Sequence, residues 1–155
     1  MIASSQTIAL DELSPAEQET LHCVASHMIP PSEELGLPGA TDPAIFADIL
    51  RSIGRDLPAL RQALHAITEM AGGPLAVLSS IEQRALLSRF RSGRPDLAGV
   101  VEAVTVRCYY RDDRVMSSVG MEVRPPFPVG FAVPQGDWSL LEPVRSRGKI
   151  YRDAD

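Results

Sequence analysis

The side chains in this sequence best suited to chemistry are two cysteines and three histidines: Cys23, Cys108, His22, His27 and His65. Thiolate and imidazole are soft metal ligands, nucleophiles and general bases. Cys23 and His27 stand four apart in a stretch with helical spacing, so they share a helix face and could chelate a metal. His22 points about 100° away from Cys23 around the helix axis. A zinc site takes three or four ligands, usually in CxxC or HxxxH pairs, and neither His65 nor Cys108 belongs to one. The plain reading is a buried cysteine beside a partly exposed histidine. The alternative, from a different functional class, is a free-standing helical metal-binding protein or enzyme using Cys23 and His27 with His65 or Cys108.

Other catalytic signatures are missing from the sequence. Gly72-Gly73-Pro74 is a helix stop and not a phosphate loop of the GxGxxG or GKS/T kind. There is no GxSxG, and three histidines leave little room for a general base. No catalytic, cofactor-binding or metal-binding residue is therefore expected. Asp112 and Asp113 lie among Arg107, Arg111 and Arg114. A carboxylate pair works as acid and base only when buried and close. The ordinary reading is a charged helix end whose acids neutralise nearby arginines; the other is a set of charges that crosses an interface and fixes its register.

These residues are positioned by a chain that reads as helical. Ser14-Pro15-Ala16-Glu17 combines a capping box with proline at the first helical position, and Leu21, Val24, Ala25 and Met28 follow on one face up to Pro30-Pro31. Asp42-Pro43 opens a second helix to about Ile53, with Ile45, Phe46, Ile49 and Leu50 inward. Asp56 is expected to cap a third, lined by Leu60, Leu64 and Ile67 and broken at Gly72. Ser79-Ser80-Ile81-Glu82 is a second capping box, for a helix to about Arg91 stopped by Gly93. Pro95 opens another, with Leu97, Val100, Val101, Val104 and Cys108 on one stripe; its β-branched residues make a strand the competing reading. A short turn at Val115–Val119 closes the globular part. The expected fold is all-α, a bundle of about five helices over residues 1–119.

From residue 120 to 155, proline and glycine recur too often for a helix, and an extended strap is expected. Six of the eight aromatic residues lie between Tyr109 and Tyr151, and five of the 13 prolines between Pro125 and Pro143. Tyrosine, tryptophan and arginine anchor interfaces, and proline lowers the entropy lost when an extended segment orders. At ~3.3 Å per residue the strap reaches ~100 Å fully stretched. An irregular stretch of this length is unusual inside a compact domain, and a partner surface removes the difficulty. Consecutive on a helix, Tyr109 and Tyr110 point about 100° apart, so at most one sits in the apolar stripe and the other faces the rim or a partner. Trp138 has a similar choice, between the core of its own domain and a partner, and the partner is favoured. The expected contact residues are Tyr109, Tyr110, Arg111, Arg114, Phe127, Phe131 and Trp138.

The charge distribution narrows the partner. Residues 1–50 hold eight acids and no lysine or arginine (−8), and residues 51–155 hold 15 bases and 12 acids (+3), which together give the net −5. A weakly basic half rich in acids argues against nucleic acid. Two cysteines are too few for a disulfide framework, and no apolar run is long enough to span a bilayer. The opening MIASSQTIAL has no basic region, no twin arginine and no long apolar stretch, so a cytoplasmic protein is expected.

The order of these motifs resembles the gluconate 2-dehydrogenase subunit 3 family. SPAEQETLHCVASHMIPPSEELGLPGA is similar to the family's opening: an acidic capped helix ending in an isoleucine-proline pair (Ile29-Pro30), then a Pro-Gly-Ala turn (Pro38-Gly39-Ala40). YYRDDRVMSSVG resembles its tyrosine-pair segment, and the likeness runs over residues 12–140. The resemblance implies a non-catalytic small subunit that binds, stabilises and helps mature a large FAD-dependent partner. That partner would be of the glucose–methanol–choline type and oxidise a sugar, sugar acid or glucoside. FAD is then expected on the partner and no cofactor on this chain. Many relatives carry a twin-arginine export signal and this sequence shows none, which puts an export role in doubt. Either the complex works in the cytoplasm, the favoured expectation, or the large subunit supplies the signal and carries this chain to the periplasm.

Overall fold

The structure is a computed structural model that describes residues 12–124, 127, 130 and 135–150. Phe131 and Tyr151 lie outside the described residues. The chain divides into two compact units, Met1–Val123 and Arg124–Asp155. Among the described residues there are seven α-helices and no strand. The first unit holds α1 (Pro15–Met28), α2 (Pro43–Arg51), α3 (Leu57–Ala71), α4 (Ser80–Gly93), α5 (Pro95–Tyr109) and α6 (Asp113–Ser118). The second holds a 3-10 turn, Trp138–Leu141, that runs into α7 (Glu142–Ser146).

Local chemistry sets the helix ends. Both expected capping boxes form. The Ser14 amide donates to Glu17 Oε2 at 2.7 Å and the Glu17 amide to Ser14 Oγ at 3.4 Å. Ser79 and Glu82 repeat the pattern at 2.8 and 3.4 Å. Each box satisfies two amides that lack helical partners, and losing such a cap typically costs ~1 kcal/mol. Asp42 caps α2 through the amides of Ala44 and Ile45. Asp56 does not cap α3 as expected. A 3-10 turn over Gly54–Asp56 feeds into that helix, Asp56 keeps a helical backbone (φ −82°, ψ −9°), and its carboxylate turns to Arg107 instead.

α5 is the central helix; α1, α2, α3 and α4 all pack on it. The stripe read as either helix or strand is a helix, and Leu97, Val101, Val104 and Cys108 are buried in it. Leu21, Ile45, Ile49, Leu60, Leu64, Ile67 and Val115 meet them, each no more than 1% exposed. Burying one such aliphatic side chain contributes ~1.5–3 kcal/mol, and that burial holds the layers together. Phe46, Leu50, Met28 and Val100, expected inward, are half-buried at the rim. Phe46 there meets His22 edge-on, with ring centroids 4.9 Å apart.

The helical segment 138–146 was not expected from a strap rich in proline. Asp137 explains it locally: one carboxylate oxygen accepts from the amide and hydroxyl of Ser139 at 2.9 and 2.7 Å. Pro143 falls in the first turn of α7, where its missing N–H costs nothing. Among the described residues, no helix is long and apolar enough to cross a membrane.

Candidate functional site

The tyrosine pair ends α5, and the two rings have different fates. Tyr109 is buried (5% exposed), and its hydroxyl donates to the Pro38 carbonyl at 3.1 Å. Burial, and then the neighbouring Tyr110 and Asp112, push its phenol above the usual range. Tyr110 packs edge-on against it at 5.3 Å, yet remains 54% exposed. Consecutive helical residues diverge by about 100°, so only one could occupy the stripe. Of the pair, Tyr110 is the side chain left at the surface.

Pro38 belongs to the turn that carries the resemblance, and the fold draws its separate motifs together. The Ala40 amide donates to the Ile29 carbonyl at 2.9 Å, and Ala40 is wholly buried. Gly39 lies so close to Pro31 that a Cβ added to it would meet the Pro31 nitrogen at 2.8 Å. The Ile29-Pro30 pair, the Pro38-Gly39-Ala40 turn and Tyr109 therefore form one packed junction.

Beyond it, three arginines of the 107–114 stretch reach acids of the 42–56 stretch. Arg107 Nη2 is 3.1 Å from Asp56 Oδ2 and 3.2 Å from the Ser52 carbonyl. Arg111 Nε and Nη2 both donate to Asp48 Oδ2, at 3.1 and 2.5 Å, and Nη2 also reaches Ser52 Oγ at 2.7 Å. Arg114 bridges two acids, donating to both oxygens of Asp42 (3.0 and 2.9 Å) and both of Asp112 (2.9 and 2.9 Å). These bonds lower Asp42 to about 2, through Arg114 above all, and lower Asp112 for the same first reason. They hold Arg111 and Arg114 charged by raising both guanidinium groups.

Arg111 and Arg114, expected to contact a partner, are thus engaged within the domain and stay about half exposed, at 52% and 49%. Of the acid pair, Asp112 neutralises Arg114 and caps α6 through the Arg114 amide at 3.0 Å. The sequence held a signal for these pairings. Arginines at 107, 111 and 114 recur at helical spacing, and residues 1–50 carry uncompensated negative charge. What the sequence did not disclose was the choice of Asp42, Asp48 and Asp56.

The soft ligands do not converge. Among the described residues, no three His, Cys, Asp or Glu side chains are grouped to hold a metal. Cys23 is half-buried, and burial followed by Glu19 raises its thiol. His27 is 2.6 Å from the amide oxygen of Gln83, His65 lies against Glu69 at 3.5 Å, and Cys108 is buried with Arg111 3.6 Å from its sulfur.

In the second unit, Phe127 is 83% exposed and Trp138 58%. Leu140, Leu141 and Val144, on the same short helical segment as Trp138, are exposed as well. Comparison with known proteins finds no family model, no curated protein and no solved structure that matches the chain.

Proposed function

We propose that this chain is a non-catalytic small subunit that binds and stabilises a large FAD-dependent dehydrogenase subunit of the glucose–methanol–choline type. The observation that carries this reading is the apolar surface of the 124–155 unit. A tryptophan, a phenylalanine and several aliphatic residues stand in water there, on a segment with its own helical turn. Burying such side chains against a second surface is favourable, and aromatic residues among them are the usual anchors of an interface. The junction of Ile29-Pro30, Pro38-Gly39-Ala40 and Tyr109 lends further support, since the residues that carry the family resemblance serve one packed structure.

In this reading the helical unit is a platform, with Tyr110 at its rim, and the strap of residues 120–155, which carries Phe127 and Trp138, lies along the large subunit. The large chain carries FAD and the catalytic residues and oxidises a sugar, sugar acid or glucoside. The small chain acts by linkage. A subunit that binds only the folded large chain stabilises it by RT ln(1 + [L]/Kd), ~2.7 kcal/mol at 100-fold excess over Kd, and raises the fraction able to hold flavin.

The test is co-expression of the large subunit with the full chain or with a chain ending at Gly120. The full chain should co-purify, and the truncated chain should stay helical by circular dichroism but fail to do so. Equal recovery of both chains would remove the strap from the interface.

A further inference from the structure

A notch of about 470 Å³, lined by neither tyrosine of the pair, lies where α1, α4 and α5 meet. That size falls within the ~300–1,000 Å³ of small-molecule sites. Val24, Phe90 and Val101, at 5%, 4% and 2% exposure, form its floor, and half-buried Met28 and Leu87 rise on α1 and α4. On α4 the lining residues Arg84, Leu87, Ser88 and Arg91 are i, i+3, i+4 and i+7, so one helix face supplies both an apolar wall and a charged rim.

A buried amide fixes one edge. Gln83 Nε2 donates to the carbonyls of Leu75 and Leu78 at 3.1 and 2.9 Å, which occupies both of its hydrogens. Gln83 Oε1 therefore faces His27 Nε2 at 2.6 Å, and that imidazole nitrogen must carry the proton. His27 Nδ1 has no partner among the described residues. The rim charges do not cancel. Arg91 pairs with Glu102 at 3.0 Å, whereas Arg84 has no ion pair among the described residues. Arg84 therefore leaves one uncompensated positive charge beside an apolar floor, on a chain whose net charge is −5.

We infer that this notch binds a free amphipathic monoanion: a single carboxylate on an unbranched hydrocarbon tail. The carboxylate pairs with Arg84, and the tail lies over Val24, Phe90 and Val101 between Met28 and Leu87. Charge complementarity selects the head and the apolar floor selects the tail. Of the two rim arginines, Arg84 is the one open to a carboxylate, since Arg91 is already paired with Glu102. Each methylene that reaches the floor tightens binding by up to about fourfold.

The experiment is calorimetric titration of the full chain with hexanoate, octanoate and decanoate below their micellar concentrations, with decanol as the uncharged control. Affinity should rise along the series, and decanol should bind at least several-fold more weakly than decanoate. Arg84→Met should weaken decanoate about tenfold and leave decanol unchanged. Ser88→Trp, an exposed position that fills the notch without entering the core, should abolish both while leaving the circular dichroism unchanged. Equal binding of decanol and decanoate, or decanoate binding indifferent to both substitutions, would overturn the assignment. So would capture of anionic phospholipid vesicles, or of an acidic amphipathic peptide, by a chain that ignores decanoate.

Discussion

Gly39→Ala isolates the junction where the chain's separate motifs meet. An alanine Cβ there would lie 2.8 Å from the Pro31 nitrogen, 2.9 Å from Pro31 Cδ and 3.0 Å from the Ile29 carbonyl oxygen. These are backbone atoms or a ring carbon bound to the backbone, so no rotamer change relieves the clash. Gly39 is not among the positive-φ glycines, so alanine meets no backbone penalty and the cost is steric. Overpacking of this kind costs ~1–3 kcal/mol. Backing the turn away also stretches the Ala40 to Ile29 hydrogen bond of 2.9 Å, worth ~1 kcal/mol. Alanine recovers ~0.4–1 kcal/mol by restricting the unfolded chain, which roughly cancels that bond. The net loss is ~2 kcal/mol, or about 8 °C in Tm at ~4 °C per kcal/mol. Thermal unfolding followed by circular dichroism reads it. Gly99→Ala is the control of opposite sign: Gly99 is exposed within α5 with nothing within 4 Å of its added Cβ, so Tm should rise by ~2–4 °C. A Gly39→Ala protein at or above the wild-type Tm would show that the turn has room for a Cβ against Pro31 and Ile29.

Three further outcomes are expected. Tyr109→Phe removes the donor to the Pro38 carbonyl and should cost ~1 kcal/mol in urea unfolding, whereas Tyr110→Ser should weaken partner recovery at little cost to the isolated chain. Leu64→Ala, at a position 1% exposed, should cost ~2–5 kcal/mol by the same assay. Asp42 has a folded pKa of about 2, below the ordinary 3.8. Its stabilisation is therefore complete above the ordinary value and is lost as pH falls towards about 2. Asp42→Asn keeps the helix cap and removes the charge. The variant's Tm deficit should thus be present at neutral pH and close progressively through that acid window; a deficit independent of pH would show that Arg114 contributes nothing through Asp42.

Much of the helical fold was legible because local and tertiary signals agreed. Ser14 and Ser79 were readable as caps because a glutamate stood three residues on, and both boxes formed. The α5 stripe was readable from spacing despite its β-branched residues, since burial against α3 outweighs a small loss of propensity. Asp56 misled because a carboxylate before an apolar run looks like a cap, and only the fold reveals Arg107 within its reach. The 138–146 segment was missed because prolines dominate the composition around it, while its cap rests on Asp137 alone. At the candidate site, spacing disclosed that one tyrosine of the pair must face outward, but which one depended on Pro38, 71 residues away. The Gln83 to His27 contact, across 56 residues, left no pattern in the sequence at all.

The most direct test of the accessory-subunit account is affinity purification of the tagged full chain from its native host, with the eluate examined for a second polypeptide and for a flavin spectrum. The account predicts a much larger co-purifying chain with bound flavin, and loss of both when the tagged chain ends at Gly120. A single colourless polypeptide recovered under gentle conditions would contradict it.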